Sequence, residues 1–219
     1  MKKLKENKYL FFSLLFAIFL LFVLYLFFGW QTDVDTGGYL ETITYFSNKD
    51  IESLKLLPHR ALRPLAIFFA LPFTFFSSPL MSLIFENILF YFGTSFLIFK
   101  VAKEILKKEE LAFYSVVFYL TAYPFLRFGP VALTDMPAWF FYLLSLYLTL
   151  LFLKKPKNYL IYFNGLISGL GVLVKENAGV GILFFITLLI FSGKFEKKEI
   201  INYTFKFFLL FLVPILVNQ

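Results

Sequence analysis

The chain contains no cysteine, which excludes disulfides and thiolate metal sites and leaves the redox compartment unread. Histidine is reduced to His59, and arginine to Arg60, Arg63 and Arg127. Charge is missing altogether from Tyr9 to Gly29. At about 1.5 Å per residue such a run reaches ~30 Å, the thickness of a bilayer core. The run also lacks a small-residue exit: Phe27-Phe28-Gly29-Trp30 is no signal-peptide cleavage site, so it reads as a retained first helix.

Apolar mass takes the place of what is missing. Of 219 residues, 60% are hydrophobic and 34 are Phe, and the mean hydropathy is +0.78, well beyond an ordinary soluble domain. The net charge of +7 would suit nucleic acid. Its lysines, however, lie in short clusters between apolar runs, as in cytoplasmic loops that face lipid headgroups. Membrane lipids are therefore expected as partners and nucleic acid is not.

Further spans are expected at approximately 80–99, 111–126, 137–153, 159–174, 178–193 and 203–217. Leu62–Phe76 is apolar but only about four turns long and holds Pro64 and Pro72, so it reads as an interfacial or re-entrant helix. Were it to cross, the clusters at Lys100–Lys108, Lys154–Lys157 and Lys194–Lys206 would all face outward, against the positive-inside bias. Residues 159–193 are too long for one span at ~50 Å and read as a hairpin with Lys175-Glu176-Asn177 at its tip. The result is an all-α, polytopic transmembrane helix bundle of about seven spans. Its N-terminus is cytoplasmic, and residues 30–79 form a first outer loop with short interfacial helices. Every Arg, His59 and all of Asp33, Asp35, Asp50 and Asp135 then lie outside, whereas the inner side carries no basic residue but lysine.

Polar chemistry is thus expected on the outer face. Asp33 and Asp35 precede Gly37-Gly38 just beyond the first helix. They can hold a cation or act as a general base, or Asp35 can simply cap the next helix while Asp33 is solvated. That helix shows Tyr39, Ile43 and Phe46 on one face. His59, Arg60 and Arg63 mark the return to the membrane, where guanidinium groups suit a phosphate or anchor to headgroups. Glu86 and Asn87 sit within the second span, facing a cavity or paired with a basic side chain. Arg127 and Thr134-Asp135-Met136-Pro137 precede the fourth span, with Pro137 suited to a first helical turn. Gly165, Gly169 and Gly171 suit close helix contact, and Lys175 follows them.

In this order the segments "DVDTGGYL", "HRALRPL", "LTDMPAWFFYLLSLYL" and "GLISGLGVLVKENAG" resemble the GT-C membrane glycosyltransferases, which include protein O-mannosyltransferases and aminoarabinose transferases. The resemblance covers the conserved seven-helix membrane module as a single unit, residues 1–219. The helices and outer C-terminal domain that usually follow are missing, so a truncated protein is expected. Glu176 and Asn177 depart from the usual pattern after the lysine. What the resemblance implies is an inverting transfer of a sugar from a polyprenyl-phosphate donor to a lipid, glycan or protein acceptor on the extracytoplasmic face of a bacterial or archaeal membrane. It implies Asp35 as general base, from its spacing to Tyr39, with Asp33 in reserve. Arg60, Arg63 and Lys175 would take the donor phosphate. His59, Tyr39, Glu86, Arg127 and Asp135 would support the site or the acceptor side. The family leaves open whether a divalent cation bridges Asp33 and Asp35.

Two other classes fit the same polar groups. One is a transporter or flippase-like subunit for a lipid-linked sugar, although the chain shows no internal repeat of the kind transporters carry. The other is an inactive truncated module.

Overall fold

The computed structural model describes residues 8–48, 63–129 and 131–218. They are helical throughout, apart from turns and one isolated parallel bridge between Gln31 and Val131. Contacts gather the chain into two compact units, Met1–Pro137 and Ala138–Gln219.

The first unit opens with α1 (Lys8–Phe28), which ends at Gly29 in a left-handed conformation, φ +65°. A turn leads into α2 (Thr36–Asn48). The short α3 (Pro64–Ala70) has proline in its first turn, where a missing N–H costs nothing. It tightens into a 3-10 turn, Leu71–Phe75. Together they form the short apolar element expected between Leu62 and Phe76, and the chain leaves it through Ser77.

The next helix, α4 (Pro79–Leu106), starts at Ser78, whose hydroxyl accepts from the Met81 N–H, and stops where Lys107 turns left-handed. It runs past the expected span of 80–99 because Lys100, Lys103 and Glu104 are good helix formers that continue it into the polar region. Its most apolar stretch is 67% buried, against 17% for that of α1. The first is thus the central helix of the unit, and the second leaves most of its apolar surface exposed.

Residues expected as one span over 111–126 divide into α5 (Glu109–Thr121) and α6 (Tyr123–Phe128). Pro124 explains the break, since it can neither donate to the Leu120 carbonyl nor pack its ring against it. Ala122 goes extended between the two helices, at φ −67° and ψ 144°. α7 (Asp135–Lys154) begins in the first unit and continues into the second.

The second unit holds α8 (Asn158–Val174), a 3-10 turn (Glu176–Val180), α9 (Gly181–Phe191) and α10 (Lys197–Val217). The hairpin expected at Lys175 is there. Gly165 and Gly169 lie against α10 so closely that a Cβ would stand 2.2 Å from the Phe207 carbonyl oxygen and 2.3 Å from that of Phe211. Gly171 faces Phe141 and Ala178 instead. Between α7 and α8 the buried Ser168 hydroxyl donates to Ser145 at 2.9 Å, and the Asn164 amide donates to Thr149 at 2.9 Å. These polar bonds and small-residue contacts replace the hydrophobic drive that lipid surroundings remove. α1, α4, α7 and α10 are long and apolar enough to cross a membrane, while 158–174 and 176–191 are shorter apolar helices.

Candidate functional site

The first unit brings the expected outer-loop residues together at the entry to α2. Gln31 pairs with the segment after α6: the Ala132 N–H donates to the Gln31 carbonyl at 3.0 Å. The Thr36 hydroxyl fastens the same two segments, accepting from the Asp33 N–H at 2.8 Å and donating to the Ala132 carbonyl at 3.0 Å. Thr36 is buried, so these bonds are shielded from water.

Asp33 is held on both oxygens. Its Oδ1 accepts from the Val34 N–H at 2.7 Å and its Oδ2 from Arg127 Nη2 at 3.2 Å. The other arm of that guanidinium donates to Gln31 Oε1 at 3.3 Å. Asp33 is thus not merely solvated: partly exposed, it also orders the loop. Asp35 stands exposed at the turn immediately before α2.

A second thread starts at Arg63, whose Nη1 donates to the Tyr39 hydroxyl at 2.9 Å. Tyr39 lies 3.1 Å from the Thr134 hydroxyl. Because Tyr39 already accepts from Arg63, its own proton is available for Thr134. The ring of Tyr39 packs in a core with Ile43, Ile67, Leu83 and Leu133, which fixes where the arginine is received. Thr134 lies in the segment that the sequence places before the fourth span. It does stand just before α7, and its hydroxyl is committed to Tyr39.

Asn87 completes the support. Its buried amide donates to the Leu83 carbonyl at 2.9 Å and to the Leu133 carbonyl at 2.8 Å, tying the central helix to the segment carrying Thr134. Glu86, beside it, is fully buried, and among the described residues neither carboxyl oxygen has a hydrogen-bond partner and no Arg or Lys pairs with it. The Asn87 Oδ1 and the Tyr91 hydroxyl on the same helix likewise have no partner among the described residues.

Of the residues singled out in the sequence, Asp33, Tyr39, Arg63 and Arg127 thus join one hydrogen-bonded assembly, built on two threads that share the 131–134 segment. Asp35 flanks it, and Asp135 is half-buried at the first position of α7. His59 and Arg60 lie outside the described residues. Lys175 belongs to the second unit, where it is half-buried and extended between α8 and the 3-10 turn, its N–H donating to the Gly171 carbonyl at 3.0 Å. Among the described residues no three His, Asp or Glu side chains gather as a metal site. A cation at Asp33 and Asp35 would have to compete with Arg127 for the Asp33 carboxylate.

Sequence reading passed over Gln31 and Thr36 and gave Asn87 no part in holding the loop. Each acts through a backbone group or side chain far along the chain, and local pattern carries no signal of such a partner.

Residues 64–217 match the family described as dolichyl-phosphate-mannose-protein mannosyltransferase. The match covers more than half of the chain and begins at the residue after Arg63, so the Asp33–Tyr39 segment precedes it. No curated protein and no solved structure matches. The chain belongs to this family, and it is a membrane glycosyltransferase of the GT-C type.

Proposed function

We propose that this family member transfers a sugar, with inversion, from a polyprenyl-phosphate donor to an acceptor hydroxyl at the extracytoplasmic face. Asp35 is the general base. It takes the proton of the acceptor hydroxyl as that oxygen forms its bond to the anomeric carbon, while the bond from that carbon to the phosphate oxygen breaks. Negative charge then collects on the lipid phosphate, where preorganised cations are most effective. Arg63 takes this role, a reading supported by the bond from its guanidinium to the Tyr39 hydroxyl, which in turn meets Thr134. Arg60 and Lys175 are further phosphate ligands on the family resemblance. Asp33 and Arg127 shape the loop, and Asp135 orients the acceptor side. If a divalent cation is bound, Asp33 and Asp35 are the acids available to it.

The observation that carries this reading is the convergence of an acid loop and the Arg63–Tyr39–Thr134 thread on one short segment, residues 131–134, in a chain of this family. The lysine clusters set the orientation: the N-terminus and the loops around 105, 156 and 196 are cytoplasmic.

The test is mass spectrometry of polyprenyl-phosphate lipids from cells lacking this chain, complemented with the wild type or with Asp35→Asn. A glycosylated polyprenyl phosphate should accumulate and be cleared only by the wild type. Clearance by Asp35→Asn would remove the general-base assignment, and an unchanged lipid pool in every strain would remove the donor.

A further inference from the structure

The end of α7 and the start of α8 line an open cavity of about 250 Å³ that the transfer reaction does not use. Lys154, Lys155 and Lys157 line it together with Tyr159, Leu151 and Leu160. We propose that it binds the headgroup of an anionic phospholipid, with the phosphate held by the three lysines.

Charge and placement both favour this occupant. Residues 151–160 contain no acid, and two further lysines, in α10 and its approach, bond to this segment. Lys194 Nζ donates to the Leu153 carbonyl at 3.0 Å, and Lys206 Nζ donates to Asn158 Oδ1 at 3.2 Å. The acids at the start of α10 are turned elsewhere: Glu196 and Glu199 form a reciprocal capping box on that helix. The cavity is therefore lined by three lysines and no acid, and its size suits a headgroup rather than a larger ligand.

An apolar path leads away from it. α8 and α10 leave Tyr159, Phe163, Ile201 and Phe205 exposed, aromatic and aliphatic surface of the kind that acyl chains cover. Lys157 lies over the Tyr159 ring at 5.7 Å, so the cation and the interfacial aromatic form one edge of the cavity. The cavity opens directly beyond the last apolar turn of α7, the depth at which phospholipid phosphates lie.

The purified full chain in detergent is titrated with phosphatidylglycerol or with zwitterionic phosphatidylcholine and read by native mass spectrometry. Phosphatidylglycerol should be retained at concentrations where phosphatidylcholine is not. The variant K154Q/K155Q/K157Q should weaken retention by roughly a hundredfold, while K103Q/K107Q/K108Q, with the same loss of charge elsewhere, should stay within about threefold of the wild type. K154R/K155R/K157R should retain the lipid, which separates lost charge from lost folding. Equal retention of the two lipids, or equal weakening in the two glutamine variants, would overturn the proposal. Inorganic phosphate that binds and displaces the lipid at millimolar concentration would make the cavity a free-phosphate site and end the lipid assignment.

Discussion

Arg127 reaches across 94 positions of sequence to place its Nη2 3.2 Å from Asp33 Oδ2. The pair joins the end of α6 to the loop after α1, and the same guanidinium holds Gln31. With side chains 41% and 28% exposed, the pair is partly screened and contributes at most about 1 kcal/mol to folding. Its importance is positional, because the turn that Asp33 organises presents Asp35.

Replacing Arg127 by Ala should separate stability from turnover. The melting temperature of the detergent-solubilised protein should fall only slightly, while sugar transfer falls more than about tenfold, since a misplacement of about 1 Å at a reacting group is enough for that. Transfer at the wild-type rate would mean that the Asp33 loop needs no such anchor.

Tyr39→Phe removes the hydroxyl that receives Arg63 and meets Thr134. A hydrogen bond to a charged group is worth about 1.5–3 kcal/mol, so stability should drop by an amount at the lower end of that range, Arg63 being only half-buried. The affinity for the polyprenyl-phosphate donor should fall more than the affinity for the acceptor. A loss confined to the acceptor would move Arg63 out of the phosphate role.

Two glycines should respond oppositely to alanine. At Gly165 a Cβ would press on the Phe207 carbonyl oxygen, a backbone atom, so α8 and α10 must separate; the cost is about 1–3 kcal/mol. At Gly37, within α2, a Cβ meets nothing within 4 Å, and alanine should gain up to about 1 kcal/mol from helix propensity. Thermal unfolding of the two variants in the same detergent compares them directly, and equal midpoints would refute the tight α8–α10 packing.

Reporter fusions at residues 105 and 156 should both give cytoplasmic signals, following the lysine clusters around them. An extracytoplasmic signal at either one would overturn the seven-span topology.

The sequence by itself determined the class and much of the helix order. Uncharged runs such as Tyr9–Gly29 have no stable environment but a bilayer, and within it only helices satisfy their own backbone. The proline-bearing stretch Leu62–Phe76 was legible as a short element, and the structure places Pro64–Ala70 and Leu71–Phe75 within it. The "GLISG" spacing announced a close helix contact. Pro124, which splits the expected third span, is a local break that the sequence displayed and the reading of one span passed over. Tertiary structure alone decided that α10 is the partner of Gly165 and Gly169. It alone joined Asp33 to Arg127, Tyr39 to Thr134, and Asn87 to the Leu133 carbonyl. Helix formation follows from neighbours a few residues apart, which a sequence displays. A site follows from which buried donors meet which acceptors after the chain has packed, and that depends on contacts some ninety positions distant.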